Sequence, residues 1–251
     1  MKNTLLARKL VALVSIGFIS LWNNLANAQE VEVIPIAHAS TLLLNGNSTI
    51  YIDPVGEAEW YAIYPTPDLV LITDIHWDHF NPKTLGALIQ EGTTIIAPKA
   101  VADKMTPALL GKTRILANGA FISINGMSIE AIPMYNLREE ALDFHVKGRG
   151  NGYVITIDQK RIYFSGDTED IEEMRNLKNI DMAFVCMNLP YTMTENSAAA
   201  AVIAFSPKKV YPYHYRGKPN VSDVALFKTL IEKSNANIEV VQLDWYPRDH
   251  F

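Results

Sequence analysis

The stretch Leu71-Ile72-Thr73-Asp74-Ile75-His76-Trp77-Asp78-His79-Phe80 constrains this chain more than any other feature. Four residues able to ligate a metal, Asp74, His76, Asp78 and His79, fall within six positions. They follow directly on Asp68–Thr73, a continuous apolar run that reads as a buried strand. A loop leaving a strand end is not held to helical periodicity. Positions 74 and 76 can therefore face one side while 78 and 79 turn to another, so one short loop can feed two adjacent metal ions. The chain has to present a polar cluster at the end of a buried strand.

Composition narrows the class. With 251 residues, 49% apolar and 20% charged, the chain is globular rather than disordered. Its single cysteine rules out an internal disulfide and any multi-cysteine zinc or iron–sulfur site. That residue, Cys186, sits in the apolar run Met182–Met187 and reads as a buried, inert thiol. A net charge of −5 argues against a nucleic-acid partner bound by phosphate neutralisation.

The amino terminus reads as an export signal. Lys2, Arg8 and Lys9 precede an apolar run over Leu10–Leu21, and Ala26-Asn27-Ala28 offers small residues where a signal peptidase reads. The expectation is a signal peptide over residues 1–28, cleaved before Gln29, and a single domain over 29–251, periplasmic or secreted. The apolar run is short for a membrane span of ~20 residues. Removing three cations and no acids takes the net charge from −5 to −8.

The remaining pattern begins with strands. Val31–Ile36, Thr41–Leu44 and Thr49–Ile52 come first, the last two joined by Asn45-Gly46-Asn47-Ser48. Asn81-Pro82 reads as the cap and first residue of a helix through Gln90, followed by a strand at Thr94–Ala97 and a short helix near Val101–Met105. Asn125-Gly126 predicts a hairpin between Phe121–Ile124 and Met127–Ile132, and Tyr153–Ile157 with Arg161–Ser165 a second. Thereafter helices and strands alternate. Helices near Ile171–Leu177, Glu195–Phe205 and Ser222–Lys233 precede strands at Met182–Met187, Lys209–Tyr213 and Ile238–Leu243. Many strands with inserted helices, then β/α alternation, predict two sheets with helices outside.

Three further residues sit where a cleft would find them. His145 lies in Asp143-Phe144-His145-Val146-Lys147-Gly148, Asp167 in Ser165-Gly166-Asp167-Thr168, and His214 in Pro212-Tyr213-His214-Tyr215, each beside a strand end. Taken singly, a histidine at a strand end is more often a structural hydrogen-bonder.

The order Asp-x-His-x-Asp-His, then His, then Gly-Asp-Thr, then a late His resembles the metallo-β-lactamase fold superfamily. Within it the chain is similar to the branch that includes the ascorbate-phosphate lactonase, through His38-Ala39-Ser40, Ile52-Asp53-Pro54, Tyr135-Asn136, Tyr191-Thr192-Met193-Thr194 and Pro212-Tyr213-His214-Tyr215. The resemblance spans residues 31–250. It implies an α/β fold, a four-layer αβ/βα sandwich with two divalent metal ions at the edge between the sheets. Carried over by position, Asp74, His76 and His145 would hold the first ion, Asp78, His79 and His214 the second, and Asp167 would bridge them. The superfamily usually has histidine where this chain has Asp74. A carboxylate there makes a zinc site more tolerant of Mn or Fe.

The expected activity is hydrolysis by a metal-bound hydroxide, acting on a small ester, lactone or phosphoester. Asp167 would orient the nucleophile, and Tyr191 would donate to a developing oxyanion. His38 and Asp53 are candidates to orient the ligands. Lys147, Arg149 and Arg216 read either as contacts for an anionic substrate or as solvated charges. Trp77 and Phe80 are expected to pack beneath the loop, and His250 to be exposed. Competing readings are a β-lactam hydrolase, a non-catalytic metal-binding or interaction protein, and iron-based redox chemistry. The export signal and acidic balance disfavour an RNA-processing nuclease.

Overall fold

The computed structural model describes residues 30–46 and 48–248. The expected signal segment, residues 1–28, and His250 lie outside the described residues. In the first sheet, β1 (Glu32–Ala37), β2 (Ser40–Asn45) and β3 (Ser48–Ile52) form an antiparallel meander. Strands β4 (Leu69–Leu71), β5 (Thr94–Ala97) and β6 (Thr113–Ile115) extend it in parallel, with spatial order equal to chain order. The second sheet repeats the plan. Strands β7 (Phe121–Ile124), β8 (Met127–Met134), β9 (Gly150–Ile157) and β10 (Lys160–Phe164) are antiparallel. Strands β11 (Met182–Cys186), β12 (Lys209–Tyr213) and β13 (Glu239–Val240) continue parallel to β10.

Helices α1 (Pro82–Leu88), α2 (Lys99–Ala102) and α3 (Pro107–Leu110) serve the first sheet, and α4 (Glu172–Arg175), α5 (Glu195–Phe205) and α6 (Val224–Lys233) the second. The period-two alternation of strands sets the layers. Val70, Ile72 and Ile95 cluster with Leu85, Val101 and Leu109 of the helices. Leu69, Leu71 and Ile96 instead pack with Ile129 and Ile155 of the other sheet. Behind that sheet, Tyr163 meets Phe205 of α5 edge-on at 5.9 Å. Helices, sheet, sheet, helices place the helices outside two sheets, as the sequence pattern predicts, and make the four-layer αβ/βα sandwich that the resemblance implies.

Local chemistry explains most boundaries. The Asn81 side chain accepts from the backbone of Lys83 and Thr84 ahead of Pro82, but α1 stops at Leu88 because Ile89 is extended. Thr194 and Asp223 cap α5 and α6 in the same way. Asn125 and Gly126 both take positive φ, 49° and 77°, as a primed hairpin turn requires. Three expectations shift. Strand β6 was not anticipated, being three residues with Arg114 at its centre and no alternation. The second hairpin starts earlier, at Gly150. The last strand shrinks to Glu239–Val240, after which the chain turns to bury Trp245, whose indole donates to Thr41 at 3.1 Å.

Gly152 shows why β9 runs through two glycines. A Cβ there would lie 2.8 Å from the Ser165 carbonyl oxygen and 2.9 Å from that of Phe164, both backbone atoms that cannot swing away. Gly152→Ala is expected to cost about 1–3 kcal/mol by overpacking. Thermal unfolding checks this, and an unchanged Tm would show that the two strands can separate freely.

Candidate metal centre

Parallel strands place their carboxyl ends on one edge, and the polar cluster is built there. Asp53 follows β3, Asp74 follows β4, Asp167 follows β10, Asn188 follows β11 and His214 follows β12. Because β9 runs antiparallel to β10, its entry lies at the same edge and brings His145 with it. The loop after β4 closes in a tight turn in which the His76 carbonyl accepts from the amides of His79 (3.0 Å) and Phe80 (2.8 Å).

All the proposed ligands converge. Ligand atoms of Asp74, His76 and His145 lie within 4.8 Å of one another, as do those of His79, Asp167 and His214. A third group of the same span joins His38, Asp78 and His214. The first two groups share an edge, since Asp167 Oδ2 is 3.1 Å from His145 Nε2 and 3.4 Å from His79 Nε2. Asp167 Oδ1 lies 3.3 Å from His214 Nε2, and Asp78 Oδ2 lies 3.4 Å from the same nitrogen.

Asp53 orients one imidazole. Its fully buried carboxylate accepts from the Thr73 amide at 2.7 Å, the Thr73 hydroxyl at 2.6 Å and His79 Nδ1 at 2.8 Å. With Nδ1–H committed there, His79 Nε2 turns a lone pair into the centre, 3.2 Å from His214 Nε2. Two imidazole nitrogens facing each other at that distance call for a cation or a proton between them. Both ring nitrogens of His145 are buried without a hydrogen bond. This donor chemistry, imidazole nitrogen with carboxylate oxygen, fits a divalent ion.

The electrostatics agree. Burial alone would lower the His214 pKa, but Asp167 and Asp78 outweigh it and raise it to about 9. Burial opposes ionisation of Asp167, yet His214, His79 and His145 hold its carboxyl well below the usual carboxylate range. The field that favours a proton on His214 is the field that favours a metal cation, and the two compete. Burial pushes the His38 imidazole down to about 3. Backbone strain marks the same residues: His38, Asp53 and His214 take φ of 48°, 44° and 44°, in the left-handed region.

A cavity of about 640 Å³ opens over the cluster. Asp78, His145 and Asp167 form part of its floor, and Trp77, Tyr191 and Arg216 part of its wall. Trp77 does not pack beneath the loop as expected. It is 67% exposed and lines the cavity, while Phe80 is buried. Lys147 is also diverted, with its ammonium bound to Glu173 at 2.7 Å and set over the Tyr135 ring. Arg149 pairs with Asp74 through two hydrogen bonds, 3.1 and 2.9 Å. Cys186 is buried as expected, and burial pushes its thiol up to about 12. Asn188, which carries no motif in the sequence, brings its amide to 3.4 Å from His214 Nε2. Only its place after a buried apolar strand hinted at it. His38 stands closer to the centre than an orienting role needs, touching Trp77, His214 and Tyr246 edge-on.

Comparison with known proteins places this geometry in a family. A model of the β-lactamase superfamily domain matches residues 33–214. A metal-dependent hydrolase from Thermococcus onnurineus is 32% identical over 210 residues, covering 80% of this chain and 92% of its own. The crystal structure of a protein from Parabacteroides distasonis described as a metal-dependent hydrolase superposes with a TM-score of 0.77 at 40% identity, covering 86% of this chain and 94% of that one. The diiron β-hydroxylase CmlA of Streptomyces venezuelae shares the fold alone, with a TM-score of 0.65 at 17% identity over 86% of this chain and 53% of its own. The chain belongs to the β-lactamase superfamily and is a metal-dependent hydrolase of the metallo-β-lactamase fold.

Proposed function

We propose that this protein is an exported hydrolase of small anionic esters, lactones or phosphoesters, with His79, His214, Asp167 and Asp78 as ligands of its metal. The observation that carries this is the convergence of those four side chains, with Asp78 and Asp167 on the floor of a cavity whose wall is aromatic and basic and His79 and His214 buried beneath it. Mixed nitrogen and oxygen donors suit zinc and also admit Mn or Fe. When bound, such an ion polarises an electrophilic oxygen and lowers the pKa of water.

The chain's own groups divide the remaining work. Asp53 and Thr73 fix the His79 ring. Asp167, held ionised among three imidazoles, orients the attacking water. Tyr191, on the wall with Phe144 at 5.1 Å, offers a phenol to an oxygen gaining charge. Arg216 and Lys218 line the same wall in a chain of net charge −5, a local reversal of sign that supports an anionic substrate. Trp77 supplies an apolar surface beside them. The signal over residues 1–28 supports a periplasmic or secreted location, and N-terminal sequencing of exported protein should begin at Gln29.

Asp167→Ala should abolish metal binding and turnover together. A folded Asp167→Ala protein with full activity would refute the assignment. Asp53→Asn should weaken metal affinity about 10- to 100-fold, because His79 loses the group that orients it; isothermal titration measures this. A panel of lactones, carboxylic esters, bis-p-nitrophenyl phosphate and nitrocefin separates this reading from a β-lactam hydrolase. Arg216→Ala should raise KM for an anionic ester while leaving that of its neutral analogue unchanged. Equal effects on both would remove the argument for an anionic substrate.

A further inference from the structure

The fold family implies two ions, and the group Asp74, His76 and His145 does not fit the first of them. A cation already stands there. Arg149 donates from Nε to Asp74 Oδ1 at 3.1 Å and from Nη2 to Asp74 Oδ2 at 2.9 Å. Asp74 Oδ2 also faces His76 Nδ1 at 2.8 Å. Three of the roughly four lone-pair sites of that buried carboxylate are thereby in use. With Nδ1–H given to Asp74, the lone pair of His76 is on Nε2, and Arg149 Nη2 lies 3.4 Å from it. The same Nη2 donates to the Phe144 carbonyl, so the guanidinium is anchored on a third side. Besides the bridging Asp167, only His145 remains of the implied ligands, and it leans away from Asp74: its Nε2 is 3.9 Å from Asp74 but 3.1 Å from Asp167.

Charge leads to the same place. Asp74 and Arg149 cancel as a bidentate pair largely shut from solvent. Next door, Asp78 and Asp167 carry two negative charges among neutral-capable imidazoles, the complement of one divalent ion. A second dication would have to displace the guanidinium or sit against it.

We infer that the Arg149 guanidinium permanently fills the first cation position, so that the protein binds a single divalent ion, at His79, Asp167, His214 and Asp78. Arg149 is a positioning residue: it holds Asp74 and His76 as a fixed wall of the centre. This rests on the reading of the centre as a metal site, and the test separates the two.

The test is metal stoichiometry by elemental analysis, after equilibrating the purified chain with Zn or Mn and removing unbound ion. Wild-type protein should hold one ion per chain, and Arg149→Gln, which removes the charge but keeps a side-chain donor, should hold two. Two ions in wild type, or one in folded Arg149→Gln, overturns the inference while leaving the hydrolase reading intact. No ion in wild type overturns both. Asp74→Asn gives an independent measurement if Arg149→Gln fails to fold. It should retain one ion with affinity changed by no more than a few-fold, because Asp74 does not ligate it. Loss of the ion in folded Asp74→Asn assigns Asp74 as a ligand and ends the proposal. Circular dichroism and thermal melts establish folding of each variant.

Discussion

The buried Asp53 carboxylate is the constraint on which the centre depends. It accepts from the Thr73 amide, the Thr73 hydroxyl and the His79 ring, and so ties the end of β3 to the loop after β4. A carboxylate taken wholly out of water is costly unless its lone pairs are met. Here they are met by the residues that carry the ligand loop, so burial and loop geometry enforce each other. The left-handed backbone at Asp53 is tolerable for the same reason, since three hydrogen bonds over-determine it.

The wider cluster meets the same problem at larger scale. Asp53, Asp74, Asp78 and Asp167 meet where strand ends of the two sheets come together, three of them buried. Such groups stay ionised only beside positive charge. Asp74 has Arg149 and a histidine, Asp53 has His79, and Asp167 has three imidazoles. Asp78, less buried than the others, draws on His214 at 3.4 Å and on the field of His79. Arg149 is a permanent cation and neutralises Asp74, whereas imidazoles can give up their protons and leave Asp78 and Asp167 for a ligand. That distinction is invisible in residue type, because all four are aspartates.

This division also explains what the sequence could disclose. The layer order was legible because apolar strands alternate with capped helices, and caps such as Asn81 and Thr194 act within a few residues. The convergence of the polar cluster was legible because a dense Asp-x-His-x-Asp-His loop and strand-end residues such as Asp167 and His214 have few uses other than facing a cleft. What was hidden depends on long-range packing. Arg149 is 75 residues from Asp74 in the chain, and nothing local distinguishes it from Lys147, two positions earlier, which turns outward to Glu173. Trp77 was misplaced because an aromatic inside a ligand loop reads as packing until the neighbouring loops are known. Strand β6 was missed because an edge strand with an arginine at its centre has no buried face to pattern.

Floor and wall of the cavity have different origins, and this bears on how chemistry and specificity separate. The floor hangs from strand ends, whose spacing is fixed by backbone hydrogen bonds and a shared core. The wall comes from loops: Phe144 before β9, Tyr191 after β11, and Lys218 and Val221 after β12. Asn136 couples two of them, since its side-chain amide donates to the carbonyls of Ala141 at 2.8 Å and Tyr191 at 2.6 Å. Arg138 adds a second tie through the carbonyls of Pro190 and Thr192 while bound to Glu169. These two ties set where Phe144 and Tyr191 stand, so a change at Asn136 or Arg138 reshapes that part of the wall. The polar floor can remain as it is, since Asn136 and Arg138 bond to loop carbonyls and to Glu169 rather than to the His and Asp cluster.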